Sequence, residues 1–248
     1  MKQVLATSIL ALALAGSANA EEVTVFAAAS LTDAVQEIAR AYEASSGNKV
    51  VFNPGASNDL ARQIRAGAAA DVFFSADSAQ MDALERAGLV RAQDRVEVLS
   101  NVLVVIVPAD STDSLRSAAD LASLRRIALA DPEAVPAGVY ARTYLQSAGL
   151  WEKLKERVVP TLNVRAALAA VESGNVEAGI VYRTDAAAAR RVRVAFEVDR
   201  EQGPRIVYVL APLASSKKAA ARDFVRHLLS AEARTIYERH GFLLMAGR

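Results

Sequence analysis

The chain has 248 residues, of which 52% are hydrophobic and 23% charged, with a formal net charge of +1 and no cysteine. Without cysteine there is no disulfide framework, no thiolate metal site and no thiol to carry a lipid anchor. The near-neutral balance leaves no electrostatic basis for binding nucleic acid, and the length is enough for a well-cored protein of two lobes.

Residues 1–20 open with Lys2, continue in an apolar run over 4–15 and end in Ala18-Asn19-Ala20, an A-x-A cleavage pattern. A secretory signal removed after Ala20 is expected, because the run is too short for a comfortable membrane span and no basic flank follows it. Lys2 is the only charge in this segment, so the remaining chain balances 28 basic against 28 acidic residues. The expected product is a free soluble protein outside the inner membrane.

From there strand-like runs alternate with helical ones. VTVF leads to helical spacing from about Leu31, VVFN to another helix from about Asp59, and DVFFSA to a third from about Ala79. VLVVIVP follows, then a short helix around 117–122, RIALAD, helices from about Gly138 and over 164–173, and the strands AGIVY, VRVAFEV and IVYVLAP. This alternation predicts an α/β fold of mostly parallel sheets flanked by helices. The runs at 102–108 and 206–212 are apolar at nearly every position and stand where a chain could cross between lobes and return. Two discontinuous lobes are therefore expected, one of 22–103 plus 209–248 and one of 104–208.

Two segments place a Ser at the start of a helical pattern. Ala27-Ala28-Ala29-Ser30 precedes apolar positions at Leu31, Ala34, Val35, Ile38 and Ala39, and Pro54-Gly55 leads to Ser57 ahead of Leu60, Ala61 and Ile64. Each Ser can cap its helix, and Ser30-Leu31-Thr32-Asp33 fits a relaxed capping box. Each can also offer a hydroxyl and an N–H to an anion at the positive end of the helix. Two such starts in one chain point to a shared anionic ligand. Other side chains read as packing or surface: His227 and His240 match no metal spacing, Trp151 sits at a helix start, and Tyr140 and Tyr144 have no His or carboxylate cluster beside them. No G-x-S-x-G, H-E-x-x-H, Walker A or Rossmann pattern occurs.

Four strings, VFAAASLTDA, LARQIRAGAAADVFFSAD, ADPEAVPAGVYAR and NVRAALAAVESGNVEAGIVYRTDA, occur in that order and resemble the periplasmic molybdate-binding protein of bacterial ABC importers. The resemblance runs through nearly all of the chain after residue 22. It implies a two-lobe periplasmic binding protein fold with the ligand in the inter-lobe cleft, no enzyme activity and no cofactor. It implies molybdate, and tungstate with it, as ligand, and an inner-membrane ABC permease with its ATPase as partner of a monomer. Matched position by position, it makes Ser30 and Ser57 hydroxyl and amide donors, Ala137 and Val164 backbone N–H donors, and Tyr182 a phenol donor. The local sequence agrees at Ala137, where Pro136 and Gly138 mark a helix start with free amides, and at Val164, where Asn163 is a ready cap.

Some positions depart from the family's usual wording. Gly55-Ala56-Ser57-Asn58-Asp59 stands where relatives often carry a run of Ser, so Asn58 could alter the cap or add an amide, and residue 163 is Asn where some relatives have Asp. Asp59 is a liability near an anion unless its carboxylate turns to the helix amides or to solvent. Arg142, Arg165 and Arg183 follow the site segments closely and either raise the potential around the cleft or lie on solvated surface.

A tetrahedral oxyanion without protons is acceptor-only, so its pocket must consist of donors, and neutral ones suffice. Sulfate differs mainly in size, which a sequence does not measure, while the remaining proton of phosphate wants an acceptor that the expected contacts lack. A reading from another class, a secreted enzyme with Ser30 or Ser57 as nucleophile, lacks a motif-linked base.

Overall fold

A computed structural model describes residues 20–245, so the expected signal segment lies outside the described residues except for Ala20. Strand β1 (Glu22–Ala28) is buried from Val25 onward and pairs in parallel with β2 (Lys49–Gly55) on one side and β3 (Val72–Ser75) on the other. All four residues of β3 are buried, as a strand covered on both faces requires. Helix α1 (Thr32–Ser46) turns Ala34, Val35, Ile38, Ala39 and Tyr42 toward the core, a single stripe at helical spacing. Helices α2 (Ser57–Arg65) and α3 (Ser78–Arg86) cover the sheet through Leu60, Ile64, Met81 and Leu84, which cluster with Phe26 and Phe73.

Strand β4 (Val96–Ser100) completes the outgoing half of this sheet, and Asn101 and Val102 carry the chain across to β5 (Leu103–Pro108). The second sheet adds β6 (Ile127–Ala130), β7 (Val158–Thr161), β8 (Ala178–Tyr182) and β9 (Val192–Glu197). Helices α4 (Pro136–Ser147), α5 (Trp151–Leu154), α6 (Val164–Glu172) and α7 (Arg183–Ala187) accompany it. Strand β10 (Tyr208–Pro212) then returns to the first sheet, followed by α8 (Ala219–Leu228), α9 (Ala231–Arg239) and β11 (Leu243–Leu244). The strand orders are β11-β4-β10-β3-β1-β2 and β7-β6-β8-β5-β9.

Both lobes are α/β with helices on their faces, and both sheets are mixed. The pairs β1–β2, β1–β3, β6–β7 and β6–β8 are parallel, whereas β5 runs against β8 and β9, and β10 against β3 and β4. The two crossing strands enter each sheet from the other lobe, so they oppose the direction of the strands already there.

Candidate functional site

The cavity between the lobes lies beyond the carboxyl ends of the strands, where open α/β sheets bind their ligands. Ala28 ends β1, Gly55 ends β2, Ala76 follows β3 and Tyr182 ends β8, and all four line it. Ser30, Ser57, Ala137, Val164 and Tyr182 line this one cavity together, so the five positions expected from the sequence converge. Ala137 is the second residue of α4, after Pro136, and Ser57 and Val164 are the first residues of α2 and α6.

Three of the helix starts around the cavity have no side-chain cap. The N-cap positions are Ala28 for the turn at Ala29–Leu31, Ala56 for α2 and Val135 for α4, and none provides a side-chain hydrogen bond. The capping reading of Ser30 and Ser57 is therefore overturned. Thr32 donates its hydroxyl to the Ala29 carbonyl and Asp33 pairs with Arg165, so no capping box forms there. At α6 the expectation stands, since Asn163 Oδ1 accepts from the Ala166 N–H at 3.0 Å. Leading amides of a helix have no partner inside it, so uncapped starts leave N–H donors at the cavity wall.

The hydroxyls have a different arrangement. Ser57 Oγ accepts from the Ala76 N–H at 3.0 Å, and Ser30 Oγ lies 3.0 Å from Tyr208 Oη. Tyr182 is 1% exposed, and its hydroxyl has no hydrogen-bond partner among the described residues. Burial holds that phenol far above its ordinary range, with the neighbouring Tyr208 adding to the shift, so it stays a neutral donor. An unpartnered hydroxyl facing a cavity is a group awaiting an acceptor.

Among the described residues, none that lines the cavity carries a charge. Asp59 pairs with Arg62 at 2.9 Å on the exposed side of α2, which removes the liability, and Asn58 donates weakly to Asp59 without lining the cavity. The three arginines neither line the site nor lie free on the surface. Arg142 stacks over Trp151 and pairs with Glu133, Arg183 donates to the Gly241 carbonyl, and Arg165 pairs with Asp33 and Asp185. His240 pairs with Glu37 and His227 packs on Tyr42, and no cluster of three or more metal-ligating side chains occurs among the described residues. Local sequence patterns gave no sign of Tyr208 or of Asn101, which contacts it, because both lie in runs that read as plain strand or crossing.

Two α/β lobes joined by crossing strands, with a small uncharged cleft walled by helix starts, define a two-lobed solute-binding protein. The family described as bacterial extracellular solute-binding protein matches residues 23–243. The chain is 38% identical to the molybdate-binding protein ModA of Escherichia coli (strain K12) over 247 residues, 96% of each chain. It is 36% identical to ModA of Haemophilus influenzae over 91% of each chain. Its structure superposes on the periplasmic molybdate-binding protein of Azotobacter vinelandii with a TM-score of 0.80 at 25% identity, over 90% of this chain and 100% of that one. The chain belongs to the molybdate-binding protein ModA family of solute-binding proteins, which are not enzymes.

Proposed function

We propose that this chain captures molybdate, and tungstate with it, in the periplasm and delivers it to an inner-membrane ABC permease with its ATPase. The observation that carries the reading is the uncharged, donor-rich cavity: hydroxyls at Ser30, Ser57 and Tyr182, and amides at uncapped helix starts near Ser57 and Ala137. Val164 adds its amide at the start of α6. An acceptor-only dianion is solvated by such fixed dipoles without a counter-charge, and the dipoles need not reorganise when it arrives.

Size supports the same guest. The cavity is small, with a volume of ≈ 20 Å³. A sugar or a peptide needs far more room. The lobes, 22–103 plus 209–248 and 104–208, each supply donors, so the closed form is the one in which all the oxygens are satisfied. In this reading the chain acts as a monomer after losing residues 1–20.

Calorimetric titration of residues 21–248, stripped of carried ligand by dialysis from denaturant, tests it. Molybdate and tungstate are expected to bind tightly and one to one, with sulfate and phosphate far weaker, and scattering is expected to show a more compact particle with ligand. Silence toward molybdate from refolded protein would reject the guest while leaving the fold intact.

A further inference from the structure

A serine serves an oxyanion only as a donor, yet its hydroxyl can equally accept. At Ser57 the Ala76 N–H occupies the acceptor side, which leaves the hydroxyl proton for the cavity. Among the described residues, Ser30 makes no such bond to an amide. Its partner is Tyr208 Oη at 3.0 Å, a group that could take either role.

The direction is set further back, in the crossing between β4 and β5. Asn101, 4% exposed, accepts at Oδ1 from the Val102 N–H at 2.9 Å. That bond fixes which end of the amide is which, since the reverse orientation would set an NH₂ group against an N–H. Nδ2 must therefore donate, and it does so to Thr184 Oγ1 at 2.9 Å and to Tyr208 Oη at 3.3 Å. Tyr208 is fully buried, and Asn101 and Ser30 are its hydroxyl's partners. If the phenol accepted from both, its own proton would be buried without a partner, which is costly. The arrangement that satisfies every group has Tyr208 accepting from Asn101 and donating to Ser30.

We propose that Asn101 and Tyr208 are positioning residues that set the hydrogen-bond polarity of Ser30, so that its hydroxyl proton points into the cavity and can only be donated to the bound anion. This rests on the reading of Ser30 as a ligand donor. Asn101 stands on the outgoing crossing, Tyr208 on the returning strand and Thr184 on α7 of the second lobe, so the chain of bonds ties the site's polarity to both connections between the lobes.

A double-mutant cycle read by molybdate titration tests it, because a residue that acts through Ser30 has nothing to act on once that hydroxyl is gone. Tyr208→Phe is expected to weaken molybdate binding about fivefold with Ser30 present, and by less than about twofold in the Ser30→Ala background. Equal losses in both backgrounds, or no loss with Ser30 present, would overturn the proposal and leave the site reading standing. Unchanged affinity in Ser30→Ala alone would remove Ser30 from the site and the proposal with it. A crystal structure of the unaltered protein with molybdate is a second readout should Tyr208→Phe fold poorly. Ser30 Oγ should lie within about 3.2 Å of both a ligand oxygen and Tyr208 Oη, and a Ser30 turned away from Tyr208 would refute the relay.

Discussion

The hydroxyls of Ser57 and Tyr182 face the same cavity but differ in what their loss leaves behind. Ser57→Ala takes the acceptor from the Ala76 N–H, so a buried amide goes unpaired and the ligand-free protein loses about 1–3 kcal/mol of stability. Tyr182→Phe removes a buried hydroxyl that has no partner among the described residues, so the ligand-free protein keeps its stability or gains slightly. Both variants lose a donor to a charged ligand and should bind molybdate more weakly by about 1–3 kcal/mol. Denaturant midpoints without ligand, set beside titrations with it, separate the two cases. If Tyr182→Phe destabilised the ligand-free protein as much as Ser57→Ala, its hydroxyl would have a structural partner and the donor assignment would fail. Of the five expected positions that line the cavity, Ser30, Ala137, Val164 and Tyr182 were legible because each stands at a helix start or strand end within a family string, and Ser57 because it opens a helical pattern after Pro54-Gly55. The partners that direct them were not, since Tyr208 lies 178 residues from Ser30 and Ala76 lies 19 from Ser57, and no local pattern encodes such pairings.

Helix α4 can bring its leading amides to the cavity because it starts almost against the end of β6. A Cβ on Gly138 would stand 2.0 Å from the Ala130 carbonyl oxygen and 2.5 Å from that of Asp131, and both obstacles are backbone. Gly138→Ala therefore pushes the start of α4 away from the sheet, at a cost of about 1–3 kcal/mol in stability. It also carries the Ala137 amide out of place and should weaken molybdate binding about tenfold or more. Gly149→Ala is the control: its φ of 68° makes a Cβ unfavourable by about 1–2 kcal/mol, yet nothing lies within 4 Å of the added atom. That variant should lose stability and keep its affinity; if both glycine variants bound molybdate normally, the placement of α4 would not matter to the site. Period and turn signals were enough for the long elements. The start of α5 at Trp151 was read, but β4, β7, β11 and α7 were missed, and Pro160 within β7 argues against a strand except at an edge, where β7 lies. The mixed direction of the sheets was equally hidden, because strand direction follows from which lobe a strand arrives from and not from its residues.

Closure of the whole molecule has its own reporter in the ion pair between Asp33 of α1 and Arg165 of α6, which joins the two lobes at 2.6 Å. Arg165 also pairs at 2.6 Å with Asp185, whose side chain is fully buried. Burial pushes the Asp185 carboxyl up to about 6, against the pull of Arg165. A carboxyl raised in this way binds its proton more tightly when folded. Its contribution to stability is full below the ordinary carboxylate value and is lost as pH rises through about 6. Above that pH, removing Arg165 would strand a buried charge, so an Arg165 variant mixes folding with closure. Asp33 does not have this drawback. In the proposed opening of the cleft it parts from Arg165, while Arg165 and Asp185 stay together. With Arg165 27% and Asp33 42% exposed, the pair contributes only about 0–1 kcal/mol, and in the proposed closure all of it belongs to the closed form. Asp33→Asn should leave the ligand-free denaturant midpoint unchanged and weaken molybdate binding about two- to fivefold, because a ligand that selects the closed form bears the whole cost of a less stable closure. The gap between the two proteins should narrow at high salt, which screens a partly exposed pair. A gap that ignored salt, or a loss of ligand-free stability equal to the loss of affinity, would place Asp33 in the fold of its own lobe and leave closure to the ligand's oxygens alone.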